Sequence, residues 1–166
     1  MRGTRVLLIT VLGVGLTHVF VEGARLPPVV ASHFGVGGAP DAFLARGWFL
    51  AVLAGAFALV AATGFGATWL VERLPAEQVN LPNRDYWLTP ERRAATAARF
   101  AAYNEVFAAA IGGLLIAVNG LVFRANAEHA PLDEVRFLAL LGAFFVFVIV
   151  WLVQLSRAFR VPSEAR

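Results

Sequence analysis

The sequence predicts an all-α membrane protein with four transmembrane helices, a folded outer loop between helices 1 and 2, and a cytoplasmic helical extension before helix 3. Composition gives the class. The 166-residue chain is 59% hydrophobic and 15% charged, whereas ordinary soluble domains carry about 25% charged residues. Charge spacing gives the spans. Uncharged runs of 16, 25, 18 and 20 residues cover Val6–Val21, Gly47–Val71, Val106–Phe123 and Phe137–Ser156. About 20 apolar residues suffice to cross a hydrocarbon core of ~30 Å. Arginine asymmetry gives the orientation. All 14 basic residues are arginine, and ten of them (Arg2, Arg5, Arg73, Arg84, Arg92, Arg93, Arg99, Arg157, Arg160 and Arg166) fall on one side. The other side holds Arg25, Arg46, Arg124 and Arg136. The positive-inside rule then predicts that both termini and the middle loop are cytoplasmic.

The chain reads as a single four-span domain over residues 1–166. Its spans are expected at about 5–24, 48–71, 104–123 and 137–156, with outer loops 25–47 and 124–136 and an inner loop 72–103. The first span reaches full length only with Glu22, Gly23 and Ala24 near the headgroups, and is expected to be a retained anchor. A signal peptide cut after Gly23 is the alternative. Trp48 is placed at the outer end of the second span, with Trp69 and Trp151 at the inner ends of the second and fourth. In the third span Ala109, Gly113, Ala117 and Gly120 form a small-residue stripe expected to admit another backbone, with Ala51 and Gly55 a shorter version in the second. Phe137, Phe144, Phe145 and Phe147 make the fourth span a lipid-facing or wedge-filling surface.

The first outer loop has more structure than a linker needs. Leu26-Pro27-Pro28 stops the first helix, and Gly35, Gly37 and Gly38 permit positive backbone angles after His33-Phe34. Asp41, after Ala39-Pro40, is expected to cap a short helix leading into Trp48. In the inner loop, Thr89-Pro90-Glu91 gives an N-cap, a first-turn proline and an acid at the positive end of a helix dipole. From there Arg92, Thr96, Arg99 and Tyr103 share one helix face. Arg92, Arg93 and Arg99 are the residues expected to meet the anionic inner leaflet, unless they form a simple solvated face.

Leu26-Pro27, Val30, His33-Phe34, Gly38-Ala39-Pro40-Asp41 and Arg46 together resemble the outer-loop signature of a widespread family of bacterial membrane proteins of unknown function, which includes the SdpI-like immunity and signalling proteins. The string Leu81-Pro82-Asn83-Arg84-Asp85-Tyr86-Trp87-Leu88, followed by Pro90-Glu91-Arg92-Arg93, is similar to the middle loop of many members. The resemblance implies a bacterial inner-membrane location and an accessory, sensor or immunity-like role. It brings no catalytic residues, and immunity belongs to longer relatives with additional spans.

Chemistry-bearing residues are few. With no cysteine, disulfides and thiol nucleophiles are excluded, and a net charge of +3 is too small for a nucleic-acid reader. No phosphate-cradling or serine-nucleophile motif occurs, and no cofactor is expected. His18 and Glu22 lie four residues apart on one helix face, where a neutral His18 is expected to bond Glu22. His33 and Asp41 are placed to meet across the glycine turn. These four are candidates for a metal site or for a membrane enzyme, with Glu128, His129 and Asp133 nearby, although no spacing matches a metal motif. Asn119 and Gln154 are expected to form interhelical hydrogen bonds. Distinctive residues concentrate in loops, where binding sites usually lie. The expected function is therefore non-enzymatic: His33, Phe34, Pro40, Asp41, Asp85, Tyr86 and Trp87 bind another membrane protein or a peptide. The expected surroundings are the lipid bilayer, with a homo-oligomer allowed, and a small transporter subunit is the remaining alternative.

Overall fold

The computed structural model describes residues 2–163, so Arg166 of the arginine count lies outside the described residues. The chain forms helix α1 (Arg2–Gly23), a hairpin of strands β1 (Val29–Phe34) and β2 (Pro40–Ala45), and helix α2 (Arg46–Arg73). A short helix α3 (Arg84–Trp87), a long helix α4 (Pro90–Glu128) and helix α5 (Glu134–Ala158) follow. Four of the helices, α1, α2, α4 and α5, are long and apolar enough to cross a membrane. The uncharged runs lie inside them, because a backbone in hydrocarbon satisfies its own polar groups most simply as a helix.

Helix α4 is the axis, packed against α1, α2 and α5. Its 39 residues form one helix, with Thr89 at the N-cap position but making no side-chain cap bond, and Pro90 in the first turn. The buried face of α4 runs through Ala101, Glu105, Ala108, Gly112, Asn119 and Phe123. Close approach relies on notches in this face and its partners. A Cβ on Gly112 would stand 2.7 Å from Val11 Cγ1, and one on Gly64 would meet Leu8 and Ala108. The stripe read from sequence divides: Ala109 is buried in this contact with Leu8 and Val60, whereas Gly113 and Gly120 face open space, as does Gly55. Helix α5 is peripheral, with 6% of its apolar stretch buried against 22–28% in the others. An aromatic seam fastens it to α4, where Phe107 meets Phe144, Phe147 and Trp151 at centroid distances of 4.6–6.4 Å.

Three helix ends are closed from a distance. The last carbonyls of a helix lack internal donors, and a cation there also meets the negative end of the dipole. Arg46 donates to the Ala24 and Leu26 carbonyls just beyond α1. Arg93 donates to Val71 and Leu74 at the end of α2. Asn83 and Trp87 both donate to the Phe159 carbonyl beyond α5, each at 2.8 Å.

The segment between α1 and α2 departs from the all-α expectation. The segment after Pro40 is strand β2, so Asp41 caps no helix; the residue before α2 is Ala45, with no side-chain cap. Pairing with β1 outweighs the local capping preference, because the Leu26-Pro27-Pro28 stop extends the chain and Val29-Val30 suits a strand.

Candidate functional site

The hairpin sits over one end of the bundle and is built to stay there. Val29 pairs with Ala45, Val30 with Leu44 and Ala31 with Phe43, and irregular register around His33 bends the tip. Gly37 and Gly38 carry the turn at φ 78° and 74°, where only glycine sits without strain. Val30 is fully buried with Leu26, Phe49 and Phe123. Asn126 of α4 then acts as a third strand: its Oδ1 accepts from the Ala31 N–H at 2.7 Å and its Nδ2 donates to the Ala31 carbonyl at 3.0 Å. The Leu132 N–H donates to the Gly38 carbonyl at 2.8 Å, which ties the tip to the α4–α5 connection.

His33 and Asp41 meet across the glycine turn, with Nδ1 and Oδ1 2.5 Å apart; the imidazole donates and the carboxylate accepts. The pair is exposed. Around it Val29, Phe43, Leu44 and Val36 are open, every residue of β2 is exposed, and Trp48 follows at the start of α2. Phe34 is half-buried and pairs with Pro40. Four of the predicted binding residues, His33, Phe34, Pro40 and Asp41, thus belong to one small platform.

His18 and Glu22 do not bond each other. Glu22 accepts from Arg25 at 2.8–2.9 Å, and His18 lies flat on Phe123 with ring centroids 5.0 Å apart. Arg25, three residues on, satisfies the carboxylate with a full charge, which a neutral imidazole cannot match. Among the described residues no group of three or more His, Asp or Glu side chains is placed to hold a metal ion. Asn119 makes no interhelical bond either: its Nδ2 is buried without a partner among the described residues, and Gln154 is exposed.

At the opposite end the chain folds a second small core of Val71, Val79, Leu81, Leu88, Ala97, Leu155 and Phe159. Here the second set of predicted binding residues separates. Asp85 projects into solvent, whereas Trp87 turns inward with its edge on the Phe159 ring. Tyr86 lies under Arg92, whose guanidinium is 4.0 Å from the ring centroid. Arg99 covers Trp87 and Phe159 at 5.6 and 5.3 Å. Thr96, on the same face, is buried and donates to the Trp87 carbonyl. Arg93 is spent on the end of α2, so the arginines expected at a membrane surface divide into two stacked on aromatic rings and one capping a helix.

Sequence reasoning passed over three residues that organise the two ends. Asn126 is one, and its only signal was a polar amide near the end of a long helix. Glu105 is another. It is 2% exposed and accepts from Arg5 Nε at 2.9 Å and from Thr4 at 2.6 Å, joining α1 to α4. Phe159, fully buried, is the third. Comparison with protein-family models, curated proteins and solved structures finds no match to this chain.

Proposed function

We propose that the chain is a non-enzymatic, multi-pass membrane protein whose hairpin is a preformed binding platform for an extracytoplasmic peptide or protein. The observation that carries this is the contrast within the hairpin. It is fixed to the bundle through Val30, Asn126 and Leu132, yet all of β2 and the apolar Val29, Val36 and Phe43 stay exposed. An anchored hairpin whose outer strand has no further strand beside it among the described residues favours an added extended segment, because little ordering cost remains on the protein side. Exposed apolar side chains on an anchored element mark an interaction surface. The arginine imbalance supports placing the hairpin outside and the Trp87–Phe159 core in the cytoplasm.

The resemblance to the SdpI-like family supports the same reading, since its signature residues are those that build the platform. Leu26 is buried beneath it, His33 pairs with Asp41, Gly38 turns the tip and Arg46 closes α1. A bacterial inner-membrane location and an accessory, sensor or immunity-like role follow from that resemblance. An enzyme or metal protein would need His18, Glu22, His33 and Asp41 to converge, whereas they are engaged in separate contacts.

The test combines topology with trapping. In intact cells an impermeant maleimide should label Val36→Cys and leave Asp85→Cys unmodified. A photocrosslinking residue at Phe43 should trap one defined species that a residue at Val135, exposed on α5, does not. Labelling of Asp85→Cys alone, or identical adducts from both crosslinking positions, would sink the reading.

A further inference from the structure

Helix α4 leaves one face uncovered between α1 and α5. Ala102, Val106, Gly113, Gly120, Arg124 and Ala127 fall on that face by helical spacing, and Gly113 and Gly120 have nothing within 4 Å of where a Cβ would stand. A cavity opens at each end of this trough. One, of ≈ 360 Å³, is walled by Thr4 of α1 and by Phe147, Val150 and Trp151 of α5, over Ala102 and Val106. The other, of ≈ 480 Å³ at the hairpin end, is lined by His18, Glu22, Arg25, Gly120, Phe123 and Arg124, among others. His18 Nε2 is buried there without a hydrogen-bond partner among the described residues.

We infer that the hairpin-end cavity seats a zwitterionic phospholipid of the adjoining leaflet, with one acyl chain lying on the Gly113–Gly120 floor. The helices that wall the trough are long and apolar enough to cross a membrane, so the medium at its mouth is lipid. Charge decides the headgroup. Arg25 is paired with Glu22 and Arg124 with Glu128, at 2.8 and 2.9 Å, all on exposed side chains. Two cations each beside a carboxylate complement a group that carries a phosphate and an ammonium together, and would repel neither half. A purely anionic headgroup finds no surplus positive charge there, because each arginine is already matched by a carboxylate. His18 lines the same cavity. Its Nε2 has no partner among the described residues, and a turn of the ring toward the opening, in the tautomer protonated there, would supply a donor for an ester or phosphate oxygen. The glycine floor leaves room for a chain where any larger residue would fill the trough.

The full-length protein, purified from mixed bilayers of phosphoethanolamine and phosphoglycerol lipids, would be examined by native mass spectrometry. One retained phosphoethanolamine lipid is expected per chain. Arg124→Gln should weaken retention about tenfold, the effect of one lost charge-assisted contact. Gly120→Leu should do the same by filling the floor, and His18→Phe, which keeps a ring against Phe123, should also lower retention. Because Gly120→Leu risks the fold, unaltered thermal unfolding of Arg124→Gln and His18→Phe keeps the comparison sound. No retained lipid, equal retention of phosphoglycerol lipid, or retention unchanged in both Arg124→Gln and His18→Phe would overturn the assignment. So would efficient dimer formation through Gly120→Cys, which would put a second copy in the trough.

Discussion

Asn126 holds both polar backbone groups of Ala31, 95 residues away, as a neighbouring strand would. The bonds are buried, so their loss is not repaired by water. Asn126→Ala would strand a donor and an acceptor at about 1–3 kcal/mol each. The expected result is faster amide exchange through residues 29–45, with the exchange of α2 and α4 little changed. Asn126→Asp keeps the acceptor for the Ala31 N–H but sets a buried carboxylate against the Ala31 carbonyl, so at neutral pH it should loosen the hairpin at least as much as alanine does. An unchanged hairpin would show that Val30 alone holds it.

Gly38 and Gly37 allow conformation and contact to be separated. Both have positive φ, but space beside Gly37 is open, whereas a Cβ on Gly38 would collide with the Leu132 backbone. Gly37→Ala should cost about 1–2 kcal/mol, the strain of the left-handed region alone. Gly38→Ala should cost visibly more in thermal unfolding and should raise exchange at Leu132. Equal effects would mean that the tip does not press on the α4–α5 connection.

The four long apolar helices were legible because a run fit for hydrocarbon must meet one requirement at every residue, and uncharged length registers it directly. Contacts between ends were not. Arg5 and Glu105 were read as markers where charge stops, since a pairing across 100 residues leaves no local pattern. Asp41 was read as a helix cap by its type, whereas a strand contact with His33 decided its conformation. The small-residue stripe was found, but its direction depends on which side α1 approaches, and Val11 against Gly112 sets that. Trp87 was placed on a surface because its partner, the Phe159 carbonyl, lies 72 residues away.

The Arg5–Glu105 pair should respond asymmetrically. Glu105 is 3% exposed in its side chain and Arg5 54%, so solvent screens one partner and not the other. Arg5→Leu leaves a buried carboxylate with only Thr4 beside it, and about 3 kcal/mol is expected after allowance for the exposed arginine. Glu105→Gln removes the charge, keeps an acceptor and should cost about 1 kcal/mol. The double variant Arg5→Leu/Glu105→Leu should be more stable than Arg5→Leu alone. Thermal unfolding in detergent gives the order, and a milder Arg5→Leu than Glu105→Gln would contradict it.

Glu91 gives a pH signature at the start of α4. A hydrogen bond to its own backbone N–H, in the first turn of α4, holds its carboxyl below the ordinary range. A depressed folded value means the stabilisation is present above the unfolded value and is lost as pH falls through the folded one. Amide exchange at the start of α4 should therefore rise on acidification, and Glu91→Gln should remove that part of the response.

Phe159 is the keystone of the core opposite the hairpin, and its ring and carbonyl do separate work. The ring is fully buried and meets Trp87, Phe100 and Tyr103 at 5.7–6.4 Å. Phe159→Ala removes the ring and should cost about 3–5 kcal/mol by the cavity it leaves. Trp87→Phe keeps most of the packing and removes one of two donors to the Phe159 carbonyl, with Asn83 still in place. That change should cost about 1 kcal/mol. Adding Asn83→Ala should cost more than the sum of the two single changes, because only then is the carbonyl at the end of α5 left without a donor. A double-mutant cycle on thermal unfolding measures that excess directly, and strict additivity would show that the two donors do not share one acceptor.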